Sequence, residues 1–129
     1  MTTDLSHIRI LVAEDNSINR FVIKKILEKW NVQLDMASDG AEAVEKFRHD
    51  PKAYDILFLD LQMPIMDGLE AAKKIRELDA EIPMVAITAA VLDENRKDSK
   101  NAGMNDFVGK PFRQEELYDI IQRWCPKKD

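Results

Sequence analysis

Cys125 is the only cysteine in 129 residues, which excludes an internal disulfide and a cysteine metal cluster and fits a reducing compartment. No apolar run approaches the ~18 residues of a membrane helix. The opening Met1-Thr2-Thr3-Asp4-Leu5-Ser6-His7 lacks the basic and then apolar profile of a secretory signal. The chain is therefore expected to be cytoplasmic, with no membrane insertion of this domain. Positive charge is also short: 19 Lys and Arg against 24 Asp and Glu leave a net charge of −5, which argues against direct nucleic-acid binding. Glycine is scarce. Gly40, Gly68, Gly103 and Gly109 include none at the spacing of a phosphate-cradling loop after a first strand, so a dinucleotide or flavin site is not expected.

What is present is the composition of an ordinary folded domain, 45% hydrophobic and 33% charged, at a length that suits one core. Short branched apolar runs alternate with helical periodicities. Candidate strands are 8–13, 32–37, 55–59, 84–87 and 106–108, and each is followed by a helical pattern. In the first helix, Ile18, Val22, Ile26 and Trp30 recur every four residues, with Ile23 and Leu27 widening the stripe. In the third, Leu69, Ala72, Ile75 and Leu78 mark one face. The fourth, from Asp93 to Ala102, is polar throughout and ends at Gly103. Five strands alternating with five helices through short loops call for a doubly wound parallel sheet of the α/β class. One domain is expected over 8–125, with 1–7 and 126–129 as tails.

In such sheets the functional residues lie just beyond the carboxyl ends of the strands. Here those residues are Glu14, Asp15, Asp60, Thr88 and Lys110. Three carboxylates along one edge repel one another and call for a cation. Oxygen-only donors that leave room for water and phosphate suit Mg²⁺ better than a caged Ca²⁺. A hydroxyl from Thr88 and a charge from Lys110 would each serve a phosphoryl oxygen while an acid acts as nucleophile. Taken singly, each of these residues has a plain reading as a strand-end or surface side chain; it is their common edge that points to a site.

The set Glu14-Asp15, Asp60-Leu61-Gln62-Met63-Pro64, Asp67-Gly68, Thr88-Ala89 and Lys110-Pro111 resembles the receiver domains of bacterial two-component response regulators over nearly the whole chain. The resemblance implies a flavodoxin-like sheet of order 2-1-3-4-5, with Asp60 as phosphoacceptor. It implies Mg²⁺ on Asp15, Asp60 and the backbone carbonyl of Gln62, with Glu14 assisting through water. Thr88 and Lys110 would hold phosphoryl oxygens, with a cis Lys110–Pro111 peptide, and Phe107 would move with Thr88 as a switch. The phosphoryl donor would be a histidine kinase or histidine-phosphotransfer domain, since His7 and His49 are not placed as relay histidines. Receivers catalyse their own phosphorylation and dephosphorylation without turning over a separate substrate, so no enzyme in the usual sense is expected. A weak dimer through the fourth helix, fifth strand and fifth helix is a further expectation. Ala13-Glu14-Asp15-Asn16, Asn19-Arg20, Leu61-Gln62-Met63-Pro64 and Ala102-Gly103-Met104-Asn105-Asp106-Phe107 are similar to the receivers attached to hybrid sensor histidine kinases.

Rival chemistries fail on single residues. An aspartyl-phosphate hydrolase needs a second Asp two positions after its nucleophile, where this chain has Gln62, which exchanges no proton at neutral pH. A calcium loop starting at Asp15 would need glycine at Arg20 and glutamate at Ile26. A receiver fold kept only for interaction would have no use for the full set of acids, Thr88 and Lys110.

Overall fold

The computed structural model describes residues 4–89 and 93–125; the carboxyl-terminal tail assigned to 126–129 lies outside them. Strands β1 (Arg9–Ala13), β2 (Gln33–Ala37), β3 (Ile56–Asp60), β4 (Met84–Thr88) and β5 (Asp106–Gly109) alternate with helices α1 (Ser17–Lys29), α2 (Gly40–His49), α3 (Gly68–Leu78), α4 (Asp93–Asn101) and α5 (Gln114–Trp124). All the strand pairs are parallel, and the order is β2-β1-β3-β4-β5, as the sequence led us to expect.

The central strands are apolar throughout because helices cover both of their faces. Alternate residues serve opposite sides. Leu11, Ala13, Leu57, Leu59, Met84 and Ala86 meet Val44, Phe47, Ala72 and Ile75 of α2 and α3. Ile10, Val12, Ile56, Phe58, Val85 and Ile87 meet Ile23 and Leu27 of α1 and Leu117, Ile120 and Ile121 of α5. Each large side chain in these two layers stabilises the fold by about 1.5–3 kcal/mol.

Two apolar stripes differ from the sequence reading, for a geometric reason. A four-residue step rotates by about 40° around a helix of 3.6 residues per turn, so a series from Ile18 to Trp30 leaves the buried face. Ile23 and Leu27 are fully buried while Ile18 is 72% exposed. A three-residue step drifts the other way, by about 60°. Leu78 is accordingly exposed, and the buried line of α3 is Gly68, Ala71, Ala72 and Ile75. At the amino end, Leu5 is buried and its N–H bonds to the carbonyl of Trp30 at 2.6 Å, so the folded unit begins before Ile8.

Helix α4 buries only Ser99. It is held at its carboxyl end instead. Gly103 adopts φ +96°, the left-handed conformation that closes a helix, and Met104 N–H bonds to the Ser99 carbonyl at 2.9 Å. From α3, Arg76 donates to the Gly103 carbonyl through Nε at 3.1 Å and Nη2 at 2.6 Å, and to Asn105 Oδ1 at 3.0 Å.

Candidate functional site

The strand order reverses between β1 and β3, and their carboxyl ends bring Glu14, Asp15 and Asp60 together. One carboxylate oxygen from each lies within 4.8 Å of the others. Glu14 is fully buried and Asp60 is 3% exposed, while Asp15 faces solvent. Asp60 is held at both oxygens: Gln62 N–H donates to Oδ1 at 2.9 Å and Lys110 Nζ to Oδ2 at 2.7 Å. The same ammonium lies 3.0 Å from Glu14 Oε1, and Asn16 N–H donates to Glu14 Oε2 at 3.1 Å.

Two buried carboxylates therefore share one ammonium, with a consequence for proton affinity. Burial pushes the Glu14 carboxyl up to about 7, helped by the Asp60 side chain. Burial pulls the Lys110 ammonium down, but its bonds to Asp60 and Glu14 outweigh this and leave it above its ordinary value. Glu14 Oε1 is also the fully buried side-chain oxygen that, among the described residues, lacks a well-aligned hydrogen bond. A cluster with excess negative charge, a buried oxygen held only by an ion pair, and only oxygen donors fits a hard divalent cation.

Local structure explains why these atoms meet. The Asn16 side chain accepts from the N–H groups of Ile18 and Asn19, both at 3.0 Å, so α1 starts immediately after the acidic pair. Gly68 opens α3 against the backbone of Asp60, where a Cβ would lie 2.2 Å from the Asp60 carbonyl oxygen. The intervening loop is tied down by Gly40 N–H, which bonds to the Met66 carbonyl at 2.9 Å. In this loop Ile65 has φ +68° and is 84% exposed.

The remaining candidates occupy the same edge. Thr88 ends β4 and is 7% exposed. Lys110 follows β5, and the Lys110–Pro111 peptide is cis. Gln62 lies on the rim with its side chain exposed. Phe107 stands further back in β5, half-buried, under the guanidinium of Arg96. Arg20 has a role that sequence reasoning missed. Its Nη1 donates to the carbonyls of Glu14 at 2.8 Å and Ala37 at 2.9 Å, which cross-links the ends of β1 and β2 under the acid pair. In the sequence Asn19-Arg20 served only as a mark of the family resemblance, and only the convergence of two strand ends exposes the purpose of Arg20. Ile18 and Phe21 on the first turns of α1, at 72% and 59% exposure, stand as large apolar groups beside this edge.

A doubly wound sheet with a lysine-paired aspartate at its switch point and two further acids in reach defines the receiver class of α/β domains. The chain belongs to the response regulator receiver domain family, whose model matches residues 10–122. It is 38% identical over 121 residues to hybrid signal transduction histidine kinase I of Dictyostelium discoideum, covering 88% of this chain and 7% of that protein. It is likewise 38% identical over 123 residues to the osmosensing histidine protein kinase SLN1 of Saccharomyces cerevisiae, covering 92% of this chain and 10% of that protein. The chain thus spans a tenth or less of these relatives. Among solved structures, the receiver domain of sensor histidine kinase PA1611 from Pseudomonas aeruginosa, with magnesium coordinated in its active-site cleft, superposes with a TM-score of 0.85 at 34% identity. That match covers 93% of this chain and 98% of the other. A chain from the complex of the S. cerevisiae phosphotransfer protein Ypd1 with the receiver domain of Ssk1 gives 0.85 at 28% identity, covering 96% and 90%.

Proposed function

We propose that this domain is a phosphoacceptor switch in which Asp60 takes a phosphoryl group from a phosphohistidine on a histidine kinase or histidine-phosphotransfer partner. The observation that carries this reading is the state of Asp60: buried, fixed at both oxygens, and sharing the Lys110 ammonium with the buried Glu14 carboxylate. Glu14, Asp15, Asp60 and the backbone carbonyl of Gln62 would hold Mg²⁺. When bound, the metal neutralises charge on one oxygen of the transferring group.

The chain's own residues supply the rest. Gln62 N–H keeps the Asp60 carboxylate oriented for in-line attack. A carboxylate oxygen forms the new P–O bond as the P–N bond to the partner's imidazole breaks, and the departing imidazole takes its proton from water. Lys110 then passes its contact from Asp60 to a phosphoryl oxygen, and the Thr88 hydroxyl bonds to another. Thr88 and Phe107 would carry the change toward α4, β5 and α5, where a partner or a second copy reads it. The domain would catalyse its own phosphorylation and dephosphorylation and turn over no separate substrate. Ile18, Phe21 and Ile65, all exposed next to the acceptor edge, fit the docking surface for the phosphohistidine partner.

The magnesium-bound PA1611 receiver and the receiver complexed with a phosphotransfer protein support this reading. Incubation with acetyl phosphate and Mg²⁺ should add one phosphoryl group by intact-mass spectrometry, and Asp60→Asn should abolish it. Uptake that survives in Asp60→Asn would refute the acceptor assignment.

A further inference from the structure

The guanidinium carbon of Arg96 lies 4.1 Å from the centroid of the Phe107 ring. Arg96 is exposed on α4, a helix that gives no apolar side chain to either core layer, and the stack is one contact that ties it to β5. Beside the stack lies a narrow gap bounded by Leu61, Thr88, Asn95, Arg96, Ser99 and Phe107, with no room for a water. Leu61 follows Asp60 directly, and Thr88 follows Ile87, the β4 residue paired with Asp60. One part of the wall thus belongs to the acceptor edge and another to the ring and its covering cation.

We infer that Arg96 is a latch on the switch: by stacking on Phe107 it holds the ring in its unphosphorylated position and so sets the resting balance between the two states. This rests on the phosphoacceptor reading above. The forces oppose one another in a definite way. If Thr88 moves toward a phosphoryl oxygen, the gap widens on its side, and a void too small for water leaves its lining without contacts. The Phe107 ring is the large group that can fill it, but moving inward takes it from under the guanidinium and forfeits the cation–π attraction. The helix cannot simply follow, because Arg76 pins its carboxyl end through Gly103 and Asn105. Arg96, in the amino-terminal half of α4, has to release the ring.

The test is the affinity of the Mg²⁺-loaded protein for beryllofluoride, a phosphoryl mimic, measured by titration calorimetry on wild type, Arg96→Met and Arg96→Lys. Each is also measured in a Phe107→Leu background. Arg96→Met keeps an unbranched apolar stem and removes the cation, and it should bind roughly two- to fivefold tighter than wild type, the range of an exposed cation–π contact. Arg96→Lys should stay closer to wild type. With Phe107→Leu the ring is gone, so the Arg96→Met gain should vanish, which separates the stack from a general loss of positive charge. Equal affinities of wild type and Arg96→Met, or an undiminished gain in the leucine background, would overturn the latch. Wild type that binds no beryllofluoride would instead remove the phosphoacceptor reading, and the latch with it.

Discussion

Lys110 Nζ stands 2.7 Å from Asp60 Oδ2 and 3.0 Å from Glu14 Oε1, so a single ammonium answers two buried carboxylates. Its own side chain is 18% exposed. Removing one member of such a group strands the others without countercharge, which is more damaging than the net contribution of the pair. In metal-free solution at pH 7.5, Lys110→Met should lose about 3 kcal/mol in denaturant unfolding. Saturating Mg²⁺ should restore most of that. A metal-free variant as stable as wild type would show that the ammonium is not what holds these acids together.

Magnesium and Asp60 should act non-additively. A cation that binds only the folded arrangement raises stability by about 2.7 kcal/mol at one hundred times its dissociation constant. Asp60→Asn leaves Lys110 and Glu14 as a one-to-one pair, so the metal-free variant should be more stable than wild type, by about 1 kcal/mol given that Lys110 already offsets part of the repulsion. The same change removes a ligand, so its gain from Mg²⁺ should be much smaller. Melting curves of both proteins with and without Mg²⁺ decide this, and equal Mg²⁺ shifts would show that the three acids do not form one site.

The raised Glu14 carboxyl gives a pH dependence whose sign is fixed by linkage. Its folded value near 7 exceeds the ordinary value of 4.5, so the folded state binds the proton more tightly. The resulting stabilisation is present below pH 4.5 and is lost as pH rises through 7. Glu14→Gln mimics the protonated form at every pH. Without metal, the variant's stability advantage over wild type should therefore grow from near zero at pH 4.5 to at most about 3 kcal/mol at pH 7.5. A flat difference across that range would show that Glu14 ionises as readily as a solvated side chain.

The fold was legible because its signals are local. Runs such as Ile10-Leu11-Val12 and Ile56-Leu57-Phe58-Leu59 are too continuous for a half-exposed strand, and alternation with helical periods leaves a parallel sheet as the economical arrangement. The acid edge was legible because each acid ends a strand. What the sequence withheld depends on rotation and convergence. Four-residue spacing drew Ile18 into the buried stripe, although the helix turns it outward beside the acceptor edge. The carbonyls gathered by Arg20 come from two strands, and the stack of Arg96 on Phe107 joins residues 11 apart through the turn between α4 and β5. No one-dimensional pattern carries either contact. The sequence put Lys110 on the edge that carries the three acids; what it did not show is that one ammonium pairs with Glu14 and Asp60 at once.

Gly68 tests whether the acceptor's position depends on backbone contact as well as charge. Glycine at the start of a helix is ordinarily improved by alanine, which restricts the unfolded chain and gains up to about 1 kcal/mol. Here a Cβ would sit 2.2 Å from the Asp60 carbonyl oxygen and 3.2 Å from the Leu61 Cα, both rigid backbone atoms at the end of a central strand. The helix start or the strand end must give way, so Gly68→Ala should destabilise by about 1–3 kcal/mol, the range for overpacking. Since Asp60 and Gln62 move with that strand end, Mg²⁺ affinity should fall at least tenfold, about 1.4 kcal/mol. Gly103→Ala is the control. It is penalised by its φ of +96° and by the Arg76 side chain at 3.0 Å, which costs about 1–2 kcal/mol, but it is remote from the acids and should keep wild-type Mg²⁺ affinity. Similar stability loss with opposite effects on the metal would separate site geometry from general weakening. If Gly68→Ala binds Mg²⁺ as wild type does, close contact between α3 and Asp60 is not what positions the acceptor.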